Sequence, residues 1–141
     1  MAVFQKFNKF VEDIGKGVHV LGTHQLKIAL TNTLPTAANS VLADIVAPIA
    51  ATNLSGATPF NITTTSYSQL TAGTGSLVLV DLTLTATGAV GPFKYVVLYN
   101  DAPTTPLKPL IGWYEYPSAA VTMASGETFL TDFAATTLTL A

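Results

Sequence analysis

GPFKYVVLYNDAPTTPLKPLIGWYEY, residues 91–116, is the stretch whose reading decides the fold. It holds six of the chain's thirteen aromatic residues and its one tryptophan, in two apolar runs on either side of a Pro-rich loop. In FKYVVLYN, Tyr95, Val97 and Tyr99 fall on one face of an extended chain, with Val96 and Leu98 on the other. A strand apolar on both sides is central, not an edge. Strict alternation through LIGWYEY puts Ile111, Trp113 and Glu115 on one face and Leu110, Gly112, Tyr114 and Tyr116 on the opposite one. One face of each strand can fill a core between sheets about 10 Å apart, and the other must be covered by a helix, a loop or another subunit. An aromatic platform for a sugar or nucleotide is the competing use. Core packing and subunit contact suit these residues better, because aromatics dominate both kinds of interior.

Working outward, SLVLVDLTLTA, AVTMA and ETFLTDF follow the same style, with turn residues between them. That spacing predicts an antiparallel β-sandwich or barrel of roughly eight strands. TMASGETF reads as two strands joined in a tight hairpin at Ser125 and Gly126. Upstream, His24, Leu26, Ile28 and Leu30 alternate with Gln25, Lys27, Ala29 and Thr31, the pattern of a half-buried strand. Asn32 to Gly75 is rich in Thr, Ala, Asn, Ser, Gly and Pro and predicts long loops carrying two or three short strands. At the start, Val3, Phe4, Phe7, Phe10, Val11 and Ile14 recur at helical spacing, which predicts an amphipathic helix over residues 3–14, stopped by Gly15 and Gly17. The expected organisation is an N-terminal helical arm over 1–17 and a single β domain over 18–141. The Phe4, Phe7 and Phe10 stripe must dock on its own sheet or on a neighbouring subunit.

Composition limits the partners. Only 10% of residues are charged, where roughly a quarter is usual, while 49% are apolar. Thr (22) and Ala (19) together make 41 of 141 residues, so small uncharged groups must cover much of the surface. Such a surface fits either a Thr-rich β protein or a subunit whose surface is covered in an assembly, where charge is depleted from the contact core. With six Lys, no Arg and a net charge of −2, no basic patch offsets phosphates, and nucleic acid is not an expected partner. The chain has no Cys, so stability must come from packing. Its most apolar long stretch, SVLADIVAPIAA, contains Asp44 and Pro48 and is well short of the roughly 20 residues a membrane helix needs. The alternating first ten residues, MAVFQKFNKF, lack the continuous apolar run of a secretory signal, which predicts synthesis in the cytoplasm.

Residues for chemistry are scarce. His19 and His24 stand five apart, on opposite faces if the segment is a strand, and no cysteine completes a zinc site. The carboxylates Glu12, Asp13, Asp44, Asp81, Asp101, Glu115, Glu127 and Asp132 are scattered. GTGS at 73–76 precedes a strand, and GKG at 15–17 ends a helix where a phosphate loop would begin one. The expectation is a protein without catalytic residues, cofactor or metal.

Five ordered segments, FNKFVEDIGKGVH, LKIALTNTLPTAANSVLADI, GPFKYVVLYND, PLIGWYEY and ASGETFLTDF, together resemble a family of small structural proteins encoded among the head genes of tailed bacteriophages. The resemblance runs from about residue 4 to the C-terminus. Where the family carries a Gly-Gly stretch, this chain reads NLSGATPF. The resemblance implies a virion component, a cement or decoration protein that binds the outside of a capsid and reinforces contacts between capsomers. It also implies a β-sandwich of jelly-roll type, a dimer or trimer, and the major capsid protein as partner. Candidate assembly contacts are Phe4, Phe7, Phe10, Trp113 and Tyr114. A tail or receptor-binding module of the same virion is the alternative and predicts Trp113 or Tyr114 in a solvent-facing pocket; an enzyme would need carboxylates or histidines converging in a cleft.

Overall fold

The computed structural model describes residues 3–116, 119–134 and 136–141. It is mainly β, with antiparallel pairing in every described ladder. The largest sheet has five strands in the order β1 (Val3–Lys6), β9 (Leu110–Glu115), β8 (Tyr95–Asn100), β2 (Leu26–Thr31) and β3 (Asn61–Ile62). A second sheet orders β12 (Leu138–Leu140), β5 (Thr74–Leu79) and β4 (Thr64–Thr71). Two further pairs join β10 (Val121–Met123) to β7 (Val90–Phe93) and β11 (Thr128–Thr131) to β6 (Leu82–Thr85). Helix α1, Asn8–Gly15, links β1 to the chain leading into β2.

The opening stretch is central, as its two-sided apolarity predicts: all six residues of β8 are buried. Val96 and Leu98 join a main core with Leu26, Ile28 and Leu30 from β2, roofed by Leu77, Leu84, Val90, Phe93, Met123 and Leu138 from the smaller sheets. Tyr95, Val97 and Tyr99 face the other way, into a second cluster with Ala29, Leu110 and Trp113. Loop residues Leu42 and Ile45 close that second cluster, so the chain covers both faces of the sheet itself. β2 is accordingly buried on both sides, not half-buried as its alternation suggests.

Four local expectations are corrected. Residues 3–6 are not the first turn of a helix but the edge strand β1, paired residue for residue with β9 from Val3↔Glu115 to Lys6↔Gly112. Their helical spacing is real, but a free strand edge supplies hydrogen bonds and burial that outweigh weak helix propensity. The first seventeen residues therefore do not stand apart as an arm.

The faces of β9 also differ from strict alternation, because the ladder runs Leu98↔Gly112 and then Tyr99↔Leu110. Ile111 is the extra residue of a bulge, and a bulge resets the phase. Ile111 and Tyr114 join the main core, whereas Leu110 and Trp113 join the second cluster. Gly112 is required at this point: a Cβ there would collide with the Phe4 ring and lie 2.5 Å from the Gln5 carbonyl oxygen. The Phe4 ring instead covers the glycine and reaches Tyr114, centroid to centroid 5.1 Å.

The turn at Ser125 and Gly126 is present, but its strands do not pair with each other. β10 pairs with β7 and β11 with β6, so the turn passes the chain from one ladder to another. Finally, His19 and His24 lie in the irregular segment between α1 and β2, where strand alternation does not apply.

Candidate functional site

The candidate assembly residues separate into the two clusters. Phe7 is fully buried in the second cluster, its ring 4.6 Å from that of Trp113. Phe10 is fully buried in the main core against His19, with ring centroids 5.1 Å apart. Trp113 and Tyr114 are buried, on opposite faces of β9, and Phe4 is partly buried against the main core. In the isolated subunit these side chains are occupied internally. The Phe stripe docks at home, with Phe4 and Phe10 on the main core and Phe7 in the second cluster. Neither Trp113 nor Tyr114 lies in an open pocket. Burial raises the Tyr114 phenol above the ordinary tyrosine range and pushes Tyr116 up to about 12, so both stay protonated in neutral solution.

What the surface offers instead lies in the long connection after β2. Residues 33–60 are irregular chain with 3-10 turns at Leu42–Asp44 and Ala51–Asn53; Leu42 and Ile45 cover the second face of the large sheet, whereas Leu54 joins the main core. Ser40 and Val41 donate backbone N–H groups to Asp44 Oδ2 at 2.8 and 3.1 Å, which ties the first turn and holds the Asp44 carboxyl below its usual range. The Thr31 hydroxyl donates to the Val46 carbonyl at 2.7 Å, and Ile49 N–H donates to the Leu30 carbonyl at 2.8 Å. Beside these anchors, Val41, Leu42, Ala43, Ile45, Pro48, Leu107 and Lys108 line an apolar groove of about 490 Å³. Val46, next in the chain to the lining residue Ile45, is 59% exposed, and Leu107 itself is 60% exposed. Sequence reading missed this groove because its walls come from two loops without periodic pattern. The exposed Leu107 between two prolines was the signal that could have found it.

Charged groups mostly pair with one another. Lys27 and Lys108 both approach Asp101, at 2.8 and 3.8 Å, and Lys94 approaches Glu115 at 3.3 Å. On α1, Glu12 accepts from Lys9 and Lys16, and its carboxyl is pulled down to about 2, first by Lys16 and then by Lys9. Among the described residues no group of three or more His, Asp or Glu side chains could hold a metal ion. No described helix is long and apolar enough to cross a membrane. Compared with protein families, with curated proteins and with solved structures, the chain matches none.

Proposed function

We propose that this chain is a structural protein of a tailed-bacteriophage virion, a cement or decoration protein that binds the outside of the capsid and stabilises contacts between capsomers. Its partners are the major capsid protein and its own copies, as a dimer or trimer, and it acts by passive binding, which stabilises the shell by mass action. The finer architecture belonging to this reading is a jelly-roll β-sandwich. The observation that carries it is the apolar groove at residues 41–48 and 107–108, opening on a surface built from a chain with only 10% charged residues. Exposed apolar side chains gathered at one place are the usual mark of a contact site, and stable interfaces anchor on such groups and not on ion pairs. The family resemblance supplies the capsid as occupant. The tail or receptor-binding alternative called for an open pocket at Trp113 or Tyr114, and the burial of both side chains removes the observation that would have favoured it.

The test is occupancy of purified particles by this protein after washing at low and at 1 M salt. Screening shortens the Debye length from about 10 Å at 0.1 M to about 3 Å at 1 M and weakens exposed ion pairs, while apolar burial survives. Retention in both washes is the expected result. Wholesale release at 1 M salt would place attachment on the few charged groups, and absence from particles altogether would end the virion reading.

A further inference from the structure

Two histidines that the assembly reading does not use close on a single amide. Asn100 ends β8 and is fully buried. Its Nδ2 lies 3.1 Å from His19 Nδ1 and 2.9 Å from His24 Nδ1. Its Oδ1 accepts the Ala102 backbone N–H at 3.1 Å, which orients the amide with oxygen toward Ala102 and both N–H groups toward the imidazoles. The Val20 backbone N–H also ends on His24 Nδ1, at 3.3 Å. This geometry makes both Nδ1 atoms acceptors, which assigns the Nε2–H tautomer to each ring.

We propose that this arrangement is an acid-operated clasp: proton uptake at His19 Nδ1 releases the segment joining α1 to β2, residues 16–25, from the end of β8 while the large sheet stays formed. A proton added at Nδ1 turns an acceptor into a donor aimed at a donor. Turning the Asn100 amide over does not repair this, because its NH2 would then face the Ala102 N–H. In either amide orientation a protonated His19 leaves one donor facing another, and unpaired buried donors are costly.

The surroundings favour the neutral form. Burial, with His24 as a second cause, lowers the His19 pKa to about 4; its Nε2 is buried without a hydrogen-bond partner among the described protein atoms and, carrying a proton in both forms, does not distinguish them. Charged groups nearby are Asp13 of α1, Lys16 at the start of the segment itself, Lys27 of β2, and Asp101 and Lys108 beyond β8. Lys16 is engaged by Glu12, and the two other lysines by Asp101. Asp13 is buried, and desolvation raises its carboxyl, so it works against the clasp by favouring the folded state as pH falls. The His19 contribution has the opposite sign. A histidine lowered in the folded state is fully stabilising above its unfolded value of about 6.5 and loses that contribution down to about 4. His24 is half-buried and lines a recess with Gly22, Thr23, Gln25, Ile62, Thr63 and Thr64, which gives protons an entry. Away from the imidazoles, Gln25 Nε2 holds the segment to the Ile62 carbonyl at 2.8 Å, and Asp101 N–H donates to the Gln25 carbonyl at 3.0 Å. Leu21 of the same segment is buried in the main core and must leave it on release, so the freed stretch ends at Gln25.

The proposal is independent of the capsid assignment. Its test is 15N NMR of the imidazoles in the full chain, with segment-resolved amide protection factors from pH 7.5 to 3.5. At pH 7.5 both rings should show the Nε2–H tautomer. On acidification the protection of residues 17–24 should fall at least tenfold while Val97 and Trp113 keep theirs. Asn100→Asp should reverse the trend, because a carboxylate accepts from an Nδ1–H and holds the segment tighter in acid. An Nδ1–H tautomer on either ring at pH 7.5, or protection of residues 17–24 that follows the same course as Val97, would overturn the clasp even if Asn100→Asp failed to fold.

Discussion

The two faces of the five-stranded sheet are closed in different ways. On one, regular strands from the smaller sheets lay Leu77, Leu84, Val90 and Phe93 over Val96, Leu98 and Ile111. On the other, an irregular loop brings only Leu42 and Ile45, and Phe7 fills the space beside Trp113. The difference teaches that a strand apolar on both sides does not by itself announce a missing subunit, since a loop with few apolar residues suffices to cover it. It also explains where the exposed apolar groove lies. The central ladders β8 and β9 turn their apolar groups inward, while Val3, Tyr67, Leu70 and Leu130 stay exposed singly on outer strands; the loop, held by scattered hydrogen bonds, instead gathers exposed apolar groups beside the groove.

Removing a large buried aromatic from each face is the strongest way to break that comparison. Trp113→Ala on the loop-covered face and Phe93→Ala on the ladder-covered face are both buried truncations, and each should cost about 3 to 5 kcal/mol in urea denaturation of the isolated chain. A Trp113→Ala cost below about 1 kcal/mol, or native tryptophan emission at the wavelength of exposed indole, would show the loop-covered face open in solution. Next in size is Gly112→Ala, which sets a methyl against the Phe4 ring and the Gln5 carbonyl and should cost about 1 to 3 kcal/mol. A neutral result would mean that β1 is not seated as described.

Loosening the loop alone sharpens the contrast. Asp44→Ala removes the acceptor for two backbone N–H groups and should cost about 1 kcal/mol at pH 7. Because those bonds lower the Asp44 carboxyl in the folded state, the contribution is present above the unfolded value of about 3.9 and disappears as pH falls through the lower folded one. The difference between wild type and variant should therefore shrink at pH 2.5, and a difference that grows in acid would refute the assignment. The smallest effect on folding is expected from Leu107→Asp, within about 0.5 kcal/mol, since the side chain is largely exposed. Particle occupancy should nevertheless drop with this variant. Unchanged occupancy would move the capsid contact elsewhere.

Much of this was legible in residues 91–116, because burial on both sides of a strand leaves an unbroken apolar run that few other arrangements produce. Residues 24–31 were legible for the same reason in weaker form, although Ala29 hid the second buried face behind a small side chain. Four features were not legible. A bulge inserts one residue without changing composition, so nothing in LIGWYEY marks Ile111 as the place where alternation slips. Val3 to Lys6 carry spacing that suits a helix, and only the open edge of β9, distant in sequence, converts it to strand. The His19 and His24 pair required a turn to bring both rings to Asn100, and five-residue spacing read as a strand sends them apart. The apolar groove was equally hidden, being assembled from two aperiodic loops.

The pairing of β1 with β9 has a consequence for the order of events during synthesis. Phe4 lies opposite Tyr114, a separation of 110 positions. At about 5 to 20 residues per second, β1 must wait roughly 5 to 20 s after its own synthesis before its partner has been made. Over that interval Val3 and Phe4 have no ladder to join and Phe7 has no indole to meet. The edge of the sheet therefore closes late, after the chain between has folded around β8 or in concert with it. Long-range antiparallel closure of this kind belongs to slow folders, with high contact order, and a nascent chain of this protein would leave Phe4 and Phe7 open to chaperones until β9 is made.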